Sequence, residues 1–137
     1  MIQPDRNDPP RGPPALLALG LAGVFLLIGA VFIAAPPLGA TLFGIPADND
    51  QARAYLRALA LRDLALGLYL GGLLRFGSRR GLGVVLVATV VIPLGDLLLV
   101  LSWQGPVSPL HLLLHAGSAA VTGGTGVWLL CDGPPPR

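Results

Sequence analysis

The sequence predicts an all-α fold, a membrane-embedded bundle of four transmembrane helices, and three observations predict it. The chain of 137 residues is 53% hydrophobic and 12% charged, with mean hydropathy +0.73; a soluble domain carries about twice that charged fraction. Four apolar segments recur along it. The first, residues 15–35, is 21 residues without a charge, a helix of about 31 Å that is long enough to cross the hydrocarbon layer. The other three carry charge or histidine at what residue spacing puts at one depth. At this length one domain is expected.

Residues 1–14 hold five prolines and no apolar periodicity, so a disordered N-terminal tail is expected there. The first helix spans about 15–35 and is stopped by Pro36-Pro37. Residues 36–47 read as an apolar connection on the membrane surface. Asp48 then caps a second helix, with Gln51 at the third position as in a capping box. That helix reaches about residue 75, its membrane part being 55–74, with Arg53 and Arg57 holding their guanidinium groups in water. A charged turn, 76–81, leads to a third helix at 82–102, kinked at Pro93. A tight turn with Trp103 leads to a fourth at 108–131, and 132–137 form a C-terminal tail. Gly67-xxx-Gly71, and Ala116, Ala120 and Gly124, are small-residue stripes suited to close packing inside the bundle.

Composition excludes several classes. All nine cations are arginine and all seven anions aspartate, net charge is +2, and no basic run forms a nucleic-acid footprint. The single Cys131 excludes an internal disulfide and a multi-cysteine metal site. Arg6 and Arg11 before an apolar stretch also fit a signal peptide, but the stretch exceeds the 7–15 residues typical of an h-region, and three more spans follow. Arginine asymmetry sets the topology. Arg6, Arg11, Arg75, Arg79, Arg80 and Arg137 fall on one side and Arg53 and Arg57 on the other, so both termini of this multi-pass cell-membrane protein are expected in the cytoplasm.

The polar residues mark the candidate site. Arg62 and Asp63 lie seven and eight residues past Tyr55, Asp96 seven before Trp103, and His115 seven after Ser108. All fall about 10 Å below the outer interface. Each charge at the bilayer centre costs roughly 2.5–3.5 kcal/mol, so pairing is expected. Adjacent positions on one helix point apart, and Arg62 and Asp63 are therefore each expected to bond to another helix; an Arg62–Asp96 pair would be a structural staple or part of a ligand site. His111, His115, Ser118 and Thr122 line one face of the fourth helix. His111-xxx-His115 has metal-ligand spacing, but without nearby Glu or Cys no metal and no cofactor is assigned. A His–Asp acid/base pair is the stronger reading, since histidine titrates near neutral pH.

The run at 62–67 (RDLALG), followed by Asp96 and His115, resembles a family of small four-helix integral membrane proteins of unknown function, similar in layout to DoxX-like proteins. The resemblance covers about 15–131 and includes the Gly-rich first helix, Ala35-Pro36 and the FGIP run at 43–46. It implies a four-helix bundle and no established activity.

The expected function is a polar pocket in the outer half of the bundle that binds a small lipophilic molecule from the lipid bilayer, with acid/base chemistry such as isomerisation or cyclisation. Asp63, Asp96 and His115 are the candidate catalytic residues, and Arg62, His111, Ser118 and Thr122 the candidate substrate-binding residues. The alternative is a non-catalytic accessory or structural membrane subunit whose charges staple the helices. A proton or ion path is a third reading, weakened by the apolar inner half. Oligomeric state is not set by the sequence. The topology is checked by cysteine labelling in intact cells: an impermeant reagent should reach a cysteine at position 105 and not one at position 78, and the reverse pattern refutes the orientation.

Overall fold

Pro36, Pro37 and Pro93, with Gly44, Asn49 and Ser78 at helix ends, mark helix boundaries among the described residues. The computed structural model describes residues 9–104 and 109–131, and among the described residues the architecture is all-α, with no strand. Helix α1 is Pro13–Ala34, α2 Pro36–Phe43, α3 Asp50–Phe76, α4 Arg79–Thr89, α5 Val91–Gln104 and α6 Pro109–Cys131. Of the expected N-terminal tail at 1–14, residues 1–8 lie outside the described residues and Pro13 and Pro14 already belong to α1; the expected tail at 132–137 and the turn after Gln104 also lie outside them.

Three boundaries differ from expectation for identifiable reasons. Residues 36–43 are helical: Pro36-Pro37 do stop α1, but proline at the first helical positions also suits a helix start, because its missing N–H has no intrahelical partner there. The cap of α3 is Asn49, whose side chain accepts from Ala52 N–H at 2.8 Å, one residue later than Asp48. The break in the third span falls at Val90. Pro93 offers no N–H to the Thr89 carbonyl, and Val90 N–H turns back to Val87 at 3.2 Å. At the start of α4 the Ser78 hydroxyl accepts from Gly81 N–H at 3.1 Å.

Among the described residues two helices are long and apolar enough to cross a membrane, Pro13–Ala34 and the joined stretch Arg79–Trp103. Helix α3 is longer than α1, at 27 residues, but carries Arg53, Arg57, Arg62 and Asp63. Helix α6 has 23 residues diluted by glycine, serine, threonine and histidine.

The helices associate as two pairs, α1 with α3 and α4–α5 with α6, and glycine sets both contacts. A Cβ on Gly29 would lie 2.8 Å from the Ala60 carbonyl oxygen, and one on Gly67 2.9 Å from that of Ala22. In the other pair, Cβ atoms on Gly83 and Gly126 would lie 3.1 and 3.0 Å from each other's backbone carbonyl oxygens. These are the close backbone approaches that small residues permit. Gly71 meets nothing, so the Gly67-xxx-Gly71 stripe engages through its first member alone. Ala116, Ala120 and Gly124 are exposed on the outer face of α6 and do not pack the bundle.

Two apolar clusters result. Ala18, Ala22, Phe25, Leu70, Leu82, Leu86 and Leu129 fill one end; Phe32, Ala40, Phe43, Leu56, Ala60 and Val100 fill the other. Asp63 and Asp96, both buried, fall in sequence between the two sets on their helices. Gly67→Ala should therefore lower stability by roughly 1–3 kcal/mol, the range for overpacking a tight contact. Gly72→Ala, which meets nothing within 4 Å, should be neutral or gain up to about 1 kcal/mol from helix propensity. Thermal unfolding of both variants in micelles checks the contrast.

Candidate functional site

Arg62 joins the two carboxylates on either side of it. From the middle of α3 its guanidinium reaches Asp96 on α5 with two parallel bonds, Nη1 to Oδ1 at 3.3 Å and Nη2 to Oδ2 at 3.2 Å, the bidentate fit that an arginine fork makes with a carboxylate. The same side chain donates through Nε to Asp63 Oδ1 at 3.0 Å, with Nη2 also 3.0 Å from that oxygen. The expected interhelical pair with Asp96 is thus present.

The expectation that Asp63 would bond away from Arg62 is not met. Adjacent Cα–Cβ vectors do diverge on a helix, but the arginine side chain is long enough to lie back along its own helix and bring the guanidinium edge to the next residue. Asp63 and Asp96 side chains are 6% and 11% exposed, and that of Arg62 30%. Two carboxylates share one guanidinium, so the cluster has one more anionic group than arginine.

The histidines go elsewhere. His111 Nε2 lies 2.8 Å from the Thr41 carbonyl oxygen, and His115 Nε2 3.0 Å from that of Phe43. A carbonyl only accepts, so each Nε2 carries the hydrogen and donates it. Both acceptors belong to the last turn of α2, where a helix leaves carbonyls without intrahelical donors. The i, i+4 spacing of the two imidazoles thus serves neighbouring carbonyls on another helix. The sequence predicts a carboxylate partner for His115; its Nε2 instead takes a backbone acceptor on α2, a helix where the sequence predicts only a connection.

Gly44 completes this end of α2. It takes the left-handed conformation (φ +94°) and donates its N–H to Ala40 O at 2.9 Å, a helix end for which glycine is favoured. A Cβ there would also come within 3.0 Å of the His111 ring. The His115 ring packs edge-on against Phe43, centroids 5.4 Å apart, and Phe43 against Phe32 at 6.4 Å, so α6, α2 and α1 meet through one line of rings. At the far end Arg79 Nε donates to Leu129 O at 3.0 Å, holding the start of α4 to the last turn of α6.

Of the remaining candidates, Ser118 is half-buried, and Thr122 is fully buried with no hydrogen-bond partner for its hydroxyl among the described residues. A cleft of about 440 Å³ opens where α2, the 44–48 connection and the first turn of α3 meet α6. Thr41, Asp48, Arg53 and His111 line it together with Pro37, Ala40, Pro46 and Ala47. Sequence reading placed only His111 in a site there; Gly44 after the apolar run was the one signal that a helix ends at this point.

His111→Phe and His115→Phe should each remove a donor from the α2 terminus, at about 1 kcal/mol per net hydrogen bond. The expected readout is faster hydrogen exchange of the Gly44 amide in each variant, with helices α4 and α5 unaffected.

Residues 22–129 match the model of a family described as a domain of unknown function (DUF4267), and the chain belongs to that family. The match supplies no link to DoxX-like proteins. No curated protein and no solved structure matches the chain significantly.

Proposed function

We propose that this member of a family without an assigned activity is a four-span membrane protein with a non-catalytic, structural or accessory role, its buried charges stapling two helix pairs into one bundle. The observation that carries this is the occupancy of Arg62, whose donors are taken by Asp63 and Asp96. A guanidinium held by two carboxylates has little left for an incoming anion or carbonyl. The four spans would be α1, the membrane part of α3, α4–α5 and α6. Alpha-helices suit this role because they satisfy their own backbone groups in lipid, and exposed Tyr55 and Trp103 near one end fit an interfacial aromatic belt. In this reading both termini face the cytoplasm, and a DoxX-like layout describes the bundle without lending it an activity.

The acid/base reading, with His115 moving a proton for a small lipophilic ligand held by Arg62, draws support from one feature. The cluster has two carboxylates for one guanidinium, so an ionisable group remains beyond the ion pair. Against it, His115 Nε2 is spent on a backbone carbonyl.

The staple predicts an asymmetry between single and combined variants. Arg62→Gln leaves two carboxylates facing each other and should lower stability by about 3 kcal/mol, the low end for breaking a buried pair because Arg62 is part-exposed. Combining Arg62→Gln with Asp63→Asn and Asp96→Asn should recover most of that loss, since amides of similar shape carry no charge. Unfolding in mixed micelles measures both. A single variant as stable as the parent chain refutes the staple.

A further inference from the structure

The cleft at the α2–α3 corner combines three features that the helix staple does not use. Its polar wall holds one cation, Arg53, and one anion, Asp48, facing a common space of about 440 Å³. Arg53 is held in place there: its Nε donates to the Ala47 carbonyl at 3.3 Å, and Nη1 lies 3.6 Å from Asp50. His111, on the opposite element, has committed Nε2 to Thr41, and its Nδ1 is buried with no hydrogen-bond partner among the described residues. A neutral imidazole that donates through Nε2 keeps an accepting lone pair at Nδ1. The site thus offers a cation for a phosphate and a carboxylate for an ammonium, while the ring of His111 forms part of its wall. Its remaining walls, Pro37, Ala40, Pro46 and Ala47, are apolar and suit the carbon skeleton of an amphiphile.

We infer that this cleft binds an aminoethyl phosphate headgroup, with the phosphate on Arg53 and the primary ammonium on Asp48. The source is a membrane phospholipid. This rests on the four-span reading, in which Tyr55, Arg57 and Trp103 put the same end of the bundle at headgroup level. A wall of one sign would select an anionic lipid; a wall with both signs complements a zwitterion. A quaternary choline head has the same phosphate but no N–H to give Asp48, so a primary amine is preferred to it.

The test uses the full chain reconstituted in vesicles holding equal amounts of phosphatidylethanolamine and phosphatidylcholine, with retained lipid read by native mass spectrometry. The expected result is a roughly fivefold preference for the ethanolamine lipid, equivalent to about 1 kcal/mol. Asp48→Asn should abolish the preference, and Arg53→Gln should reduce retention of both lipids. Arg57→Gln, an exposed cation that does not line the cleft, should change neither. Equal retention of the two lipids, or an Asp48→Asn chain that keeps the preference, overturns the proposal. So does an Arg57→Gln effect equal to that of Arg53→Gln, which would mean general surface attraction. If soluble phosphoethanolamine displaces the lipid at equal concentration, the cleft belongs to a free metabolite of the same chemistry and the lipid assignment fails. A chain that does not insert into the vesicles at all refutes the four-span reading instead, so the two failures are distinguishable.

Discussion

The Arg62 fork is the constraint on which the rest of the bundle depends. The α1–α3 and α4–α6 pairs are each closed by glycine contacts at backbone distance, and van der Waals packing suffices for such contacts in an apolar solvent. Between α3 and α5 the guanidinium makes two bonds to Asp96 while a third goes to Asp63. In the proposed four-span arrangement each of these three groups alone would oppose insertion by roughly 2.5–3.5 kcal/mol at the bilayer centre. Together they satisfy one another, the long Arg62 side chain bridging α3 to α5 at this level. Apolar surfaces of helices can slide by a turn with small penalty; a bidentate ion pair cannot.

A second set of polar contacts works at the end of the bundle by a different means. Helix α2 has eight residues, too few to be stable as an isolated helix in water. Its proline start, its Gly44 end and the two histidines of α6 each supply what its short length lacks. The imidazoles donate to the Thr41 and Phe43 carbonyls, two of those that the end of a helix leaves without intrahelical donors. The Phe32–Phe43–His115 line of rings then ties α2 to both pairs. Consequently α2 is held by its neighbours on α1 and α6.

How much of this was legible in the sequence follows from the kind of partner each residue takes. Arg62 and Asp96 could be matched by counting residues from Tyr55 and Trp103, because helices have a fixed rise and buried charges need each other. The Arg62–Asp63 contact was not legible, since spacing describes where Cβ atoms point and not where a long side chain ends. The histidine partners were hidden for another reason: a backbone carbonyl has no residue type. Only the end of a helix exposes such carbonyls, and Pro36-Pro37 looked like the end of α1 and not the start of α2. The small stripe on α6 was readable as a stripe, but which way it faces depends on where α4 and α5 settle, and they settle on Gly123 and Gly126 instead.

The placement of the charged residues between two apolar clusters bears on why they are there at all. Replacing a buried ion pair by apolar side chains often leaves stability unchanged or raises it, so stability alone is a poor reason for three ionised groups inside this bundle. Register is a better one. Leu, Ala and Gly repeat along α1, α3, α4 and α6 with little to distinguish one turn from the next, and a shift of one turn would still bury apolar surface against apolar surface. It would also separate Arg62 from Asp96 and break the pair they make inside the bundle. The same shift would carry His111 and His115 past the α2 terminus. Two polar contacts on different elements therefore exclude the same set of misaligned bundles, and an otherwise uniform apolar sequence acquires one alignment of its helices.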